Sequence, residues 1–99
     1  MARTYYSDYV GHMMRQYIRL KDSDETIAEG PTEQNVNVCG LILDGLPENE
    51  RTMLTQIYAN KVIANEIEGI AESQGLRPQN IWAIVKNFER EIAKERGLL

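Results

Sequence analysis

Apolar residues recur three and four positions apart along most of this chain, and that period predicts helices. Tyr6, Tyr9, Val10, Met13, Met14, Tyr17 and Ile18 form one stripe, with Arg15, Gln16 and Arg19 opposite. They predict an amphipathic helix from Ser7 to Leu20. Ser7 stands where an N-cap is expected, and Asp8 follows where the helix dipole favours an acid. Lys21 to Glu33 loses the period, is polar and acidic, and contains Gly30-Pro31, so it predicts a loop. A second helix is expected from Thr32, its cap, to about Asp44, with Val36, Cys39, Ile42 and Leu43 inward and Gly45 as its left-handed stop. Val36-Asn37-Val38 also alternates as a strand would, but Cys39 to Leu46 fits a period of 3.6 better.

Pro47 suits the first turn of a third helix, where its missing N–H costs little. Met53, Leu54, Ile57 and Tyr58 mark that helix's inner face, and Asn60-Lys61 a joint. The fourth helix is expected from Val62 to Gln74, with Val62, Ile63, Ile67, Ile70 and Ala71 inward and Gly75 ending it. Pro78 opens a long last helix to about Arg96, with Ile81, Ile84, Val85, Phe88 and Ile92 inward, Trp82 on a flank, and Gly97 after its end. The expected fold is all-α: a small bundle of about five helices forming one compact domain. Its parts are an N-terminal amphipathic helix (1–21), an acidic loop (22–33) and a C-terminal helix-turn-helix region (34–99) with the long helix last.

Ninety-nine residues suffice for one domain, and 42% hydrophobic with 26% charged residues is ordinary for a globular protein. A chain this short buries only about 60–70% of its unfolded surface, which makes a homodimer worth considering. No apolar run approaches ~18 residues and the N-terminus lacks a signal core, so no membrane segment and a cytoplasmic location are expected. Cys39 is the only cysteine and reads as a small core residue. His12, the only histidine, has no partner at metal-ligand spacing, and the acidic run from Asp22 to Glu50 lacks the alternating ligands and fixed glycine of a calcium loop. No metal or cofactor is expected. Neither a phosphate-binding glycine loop nor a nucleophile–base pairing is present, so the chain does not read as an enzyme.

The net charge of −4 argues against nucleic acid, but its distribution matters more, since an acidic protein can still bind phosphates with one face. Residues 1–21 carry Arg3, Arg15, Arg19 and Lys21 against Asp8. Residues 22–50 carry eight acids and no cation. Residues 77–96 carry Arg77, Lys86, Arg90, Lys94 and Arg96 against Glu89, Glu91 and Glu95. The last helix is therefore basic, and it follows a helix-turn-helix pattern. Ala71 is the small residue close packing needs, Gly75 tolerates left-handed dihedrals at the turn, Leu76 is placed to pin both helices, and Ile81 and Ile84 anchor the second helix. Two helices of any small bundle also meet at such a turn.

Leu46-Pro47-Glu48, Glu50-Arg51, an apolar helix, Ile70-Ala71-Glu72, Gly75-Leu76, then Ile81 and Ile84 are together similar to the promoter-reading fourth region of bacterial sigma factors. The resemblance covers about the last half of the chain. Tyr5-Tyr6-Ser7-Asp8-Tyr9-Val10 and Ile92-Ala93-Lys94-Glu95-Arg96-Gly97-Leu98 also resemble small uncharacterised proteins of phages and integrative elements of Firmicutes. The sigma likeness implies a transcription regulator of a phage or mobile element that binds double-stranded DNA. Its recognition helix would start near Pro78, with Arg77, Gln79, Asn80, Ala83 and Lys86 toward bases and Arg90 and Lys94 toward phosphates. Three positions depart from the pattern. Arg77 stands where the family has a capping Thr or Ser, and Trp82 and Ala83 replace polar residues. The alternative is an acidic helical module that binds a protein, either RNA polymerase or a host nucleic-acid enzyme, without touching DNA. Tyr6, Tyr9, Met13, Tyr17 and Trp82 are the candidates for a protein interface, a homodimer included.

Overall fold

The computed structural model describes residues 6–23, 31–60 and 62–98. Arg3 and Tyr5, residues 24–30 of the acidic stretch, and Lys61 of the joint lie outside the described residues. Five helices follow one another: α1 (Ser7–Ser23), α2 (Pro31–Asp44), α3 (Glu48–Tyr58), α4 (Ile63–Gln74) and α5 (Pro78–Arg96). Among the described residues there is no strand. All five contribute to one apolar cluster that runs from Val10 to Ile92. The 41 × 30 × 24 Å body has α1 at its centre, packed on α2, α3 and α5, while α4 bridges α3 and α5. The expected all-α bundle is the fold observed.

The helix periods place the core as expected. Val10, Met13, Met14 and Tyr17 of α1, Val36, Cys39 and Leu43 of α2, Met53, Leu54, Ile57 and Tyr58 of α3, Ile67, Ile70 and Ala71 of α4, and Ile81, Val85, Phe88 and Ile92 of α5 are buried. Tyr58 and Phe88 meet as tilted rings 5.9 Å apart between α3 and α5.

Several local expectations are corrected. Ser7 is already helical and does not serve as the expected N-cap, because its hydroxyl donates instead to a carboxyl on α5. The loop is shorter than 22–33. Helix α1 continues to Ser23 and α2 begins at Pro31, a residue whose fixed φ suits a first turn. Pro47 precedes α3 as its N-cap rather than lying inside the first turn. Gly45 is not left-handed. Helix α2 ends by tightening, with the Gly45 and Leu46 N–H groups donating to the carbonyls of Ile42 and Leu43. Val62 precedes α4 and is exposed rather than inward.

The two remaining glycine stops are left-handed, as expected. Gly75 has φ 66° and Gly97 φ 75°. Each closes a Schellman motif. Leu76 N–H donates to the Ala71 carbonyl at 2.8 Å and Gly75 N–H to that of Glu72 at 3.4 Å. Leu98 and Gly97 repeat the pattern on Ala93 and Lys94.

Candidate nucleic-acid interface

The α4–α5 joint positions the site. After the left-handed Gly75 only Leu76 and Arg77 separate the helices, and Arg77 is extended (φ −82°, ψ 135°) so that Pro78 starts α5 with its ring at N1. No side chain caps α5, and no acid lies in its first turn. Ala71 is buried where the two helices pack. Gly69 is not a close-approach position, since a Cβ there would meet nothing within 4 Å. Leu76 does not pin the helices as expected. It is 41% exposed, because the Schellman turn carries it past the α4 axis and outward.

All seven candidate DNA contacts are exposed: Arg77, Gln79, Asn80, Ala83, Lys86, Arg90 and Lys94. From Gln79 onward the successive spacings of three and four keep Ala83, Lys86, Arg90 and Lys94 on the face opposite the Ile81–Ile92 stripe. Everything from Glu72 to Asn80 is exposed, so the leading end of α5 is not covered by the described chain. Glu89, an acid of this helix, does not lie on the strip's surface. It is 2% exposed and turned inward. Glu91 reaches Lys94 at 3.9 Å on the open surface, a weak pair. Among the described residues no carboxylate pairs with Arg77, Lys86 or Arg90. Arg96 is engaged elsewhere: its Nε donates to Asn35 Oδ1 at 2.9 Å.

Helix α4 has the opposite character. It carries Glu66, Glu68 and Glu72 and no cation. Glu66 accepts from Gln56 Nε2 at 2.7 Å and Asn60 Nδ2 at 3.0 Å, which turns it toward α3. Glu68 and Glu72 are exposed.

The candidate protein-interface residues separate. Met13 and Tyr17 are buried in the chain's own core, and Tyr6 and Trp82 are half-buried against it. Tyr9 is 36% exposed, and its hydroxyl donates to Asn35 at 3.4 Å. The tyrosine stripe therefore packs α1 into the bundle. Lys21 Nζ sits 5.2 Å from the Tyr17 ring centre, and the Tyr17 side chain holds its pKa above the ordinary lysine value.

Two buried polar nodes had no counterpart among the expected sites. Glu89 accepts from Ser7 Oγ at 2.9 Å and from Tyr58 OH at 2.5 Å, joining α5 to α1 and α3. Asn35 is buried, donates to Gln16 Oε1 at 3.1 Å and accepts from Arg96 and Tyr9, joining α2 to α1 and α5. The sequence signal was position: Glu89 lies four residues after Val85 and three before Ile92, and Asn35 four before Cys39. Cys39 is buried, and burial pushes its thiol up to about 12. Among the described residues no group of three or more His, Cys, Asp or Glu could hold a metal ion. Likewise, none of their helices is long and apolar enough to cross a membrane. No protein-family model, curated protein or solved structure matches this chain.

Proposed function

We propose that the chain is a DNA-binding transcription regulator of the sigma-region-four-like type, in which α5 enters a major groove by its leading end. The observation that carries this reading is the exposed strip on α5, whose cations have no acid turned against them apart from Glu91 beside Lys94. Gln79 to Lys86 spans about 10 Å along the helix, a length that fits the groove, and Arg90 and Lys94 lie a further turn or two out, within reach of phosphates. Gln79 and Asn80 suit adenine, Arg77 suits guanine, and Ala83 has the size for a thymine methyl. The element carrying such a protein would be a phage or other mobile element, by the resemblance alone.

A second reading rests on α4. In a helix-turn-helix the first helix crosses the DNA backbone, and here that helix exposes Glu68 and Glu72. These acids favour a protein-interaction module facing a basic surface, of RNA polymerase or of a host nucleic-acid enzyme. Selection from a random duplex library, followed by binding across a salt series, separates the two. Enrichment of one sequence with affinity falling steeply in salt supports DNA reading. No retention of long duplex at low salt removes it.

A further inference from the structure

The apolar stripe of α5 chooses its register only in part. Ile81, Val85, Phe88 and Ile92 follow one another at spacings of four, three and four. A slide of one turn, about 5.4 Å, leaves apolar residues in three of these four places and brings Glu95 and Arg96, or Arg77 and Pro78, to the fourth. Hydrophobic packing therefore opposes the slide mainly at one end of the stripe. Glu89 does not tolerate the slide. Shifted by a turn, its carboxyl would enter apolar surroundings, and Val85 or Ala93 would stand before the hydroxyls of Ser7 and Tyr58. All three polar groups are nearly or wholly buried, so each would lose a hydrogen bond away from water.

We propose that Glu89 is a positioning residue, a register lock that fixes the axial and rotational setting of α5 against α1 and α3. Its consequence for base contacts rests on the DNA reading above; the lock itself does not. Buried polar groups are the devices that choose one register among apolar alternatives, at a cost in stability. The Asn35–Arg96 contact pins the trailing end of the same helix. The leading half, where the candidate base contacts lie, is held by apolar packing beyond the lock. A setting error at Glu89 is carried directly to Gln79 and Asn80.

Trp82, the only tryptophan, reports the setting. It lies two turns before Glu89 on the same flank and is half-buried. The test is the apolar triple variant Ser7→Ala/Tyr58→Phe/Glu89→Leu in the full chain, with Glu89→Gln as the polar rescue. The lock requires the triple to stay helical with a red-shifted Trp82 emission, a second fluorescence lifetime and greater acrylamide quenching. Glu89→Gln, which keeps one acceptor and can donate to the Tyr58 oxygen, retains the wild-type spectrum. On the duplex enriched by the wild-type chain, the triple loses about tenfold of its preference over random duplex while random binding is unchanged. An unaltered Trp82 spectrum with a single lifetime in the folded triple overturns the proposal. Should the triple not fold, Tyr58→Phe alone gives the decision: greater quenching supports the lock, and unchanged quenching overturns it. A wild-type chain that enriches no duplex removes the DNA reading and leaves Trp82 to decide the lock.

Discussion

The same substitution, Gly→Ala, is expected to have opposite effects at two positions six residues apart. At Gly75 the backbone is left-handed (φ 66°, ψ 29°), and a Cβ would meet nothing within 4 Å. The cost of Gly75→Ala is therefore conformational and not steric. An L-residue in that region costs about 1–2 kcal/mol, and stiffening the unfolded chain returns about 0.4–1 kcal/mol, so the net loss is roughly 1 kcal/mol. Gly69 lies inside α4, is exposed, and also has open space where a Cβ would stand. Gly69→Ala replaces a poor helix residue with the best one and should gain about 0.5–1 kcal/mol. For a domain of this size each kcal/mol moves the melting temperature by about 4–8 °C. Thermal and urea melts followed by circular dichroism measure both. Two shifts of the same sign would refute the reasoning. A neutral Gly75→Ala would mean that the α4–α5 turn is not left-handed, and the helix-turn-helix geometry would fail with it.

Four further outcomes follow from the packing and the charges. Leu54, fully buried in α3, should lose about 2–5 kcal/mol as Leu54→Ala, read by urea melts; a loss under 1 kcal/mol would mean that the α3 face is not core. The Cys39 thiol, held up to about 12 by burial against an ordinary 9.0, loses its proton later in the folded chain than in the unfolded one, so its contribution to stability is complete below pH 9 and is lost as pH rises from 9 toward 12. The native chain should resist a thiol reagent at pH 8 and react on unfolding, and Cys39→Ala should flatten the alkaline fall in melting temperature. If DNA is bound, Gln79→Ala and Asn80→Ala should relax sequence preference by about 1–3 kcal/mol at single base pairs, whereas Arg90→Ala should weaken all duplexes alike and lower the salt slope by about 1; equal effects on both measures would refute the division between base and phosphate contacts. Glu68→Gln with Glu72→Gln should strengthen DNA binding under the DNA reading, and weaken capture of a basic protein partner under the other.

Much of the fold was legible because its elements announce themselves locally. A 3.6 period, Pro78 at a helix start, and Gly75 and Gly97 after helix ends each depend on residues a few positions apart. The misjudged points depend on what lies across the fold. Ser7 has the chemistry of a cap, but its hydroxyl is claimed by a residue 82 positions away. Glu89 looks like one more surface acid until Tyr58 is placed beside it. Val62 and Leu76 are apolar yet exposed, since a helix boundary turns them outward whatever their hydrophobicity. Gly45 follows a helix as Gly75 does, but a tightened last turn served there and no left-handed residue was needed. The candidate interface was legible as a face, because exposure on α5 follows from its period. Its meaning was not, because function depends on which surface is presented beside it.

That neighbouring surface decides how the charge balance should be read. The average of −4 describes the field far from the molecule, whereas contact depends on charges within a Debye length, about 8 Å at physiological ionic strength. Packed helices sit about 8–10 Å apart axis to axis, a spacing comparable to that length, so Glu68 and Glu72 on α4 belong to the local charge that a phosphate meets beside the α5 strip. At physiological salt the basic strip of α5 is partly insulated from them. At low salt the length grows to about 30 Å, and the acids of α4 act more strongly against an approaching phosphate. A protein that reads DNA with this surface should thus bind less tightly at very low salt than its cation count implies, and its salt dependence should flatten there instead of staying linear against the logarithm of salt. A protein that uses the acidic surface for a partner shows the reverse order: the partner's affinity rises continuously as salt falls, and duplex DNA never competes for it. The curvature of duplex binding against salt therefore tests the DNA reading even before any DNA sequence has been identified.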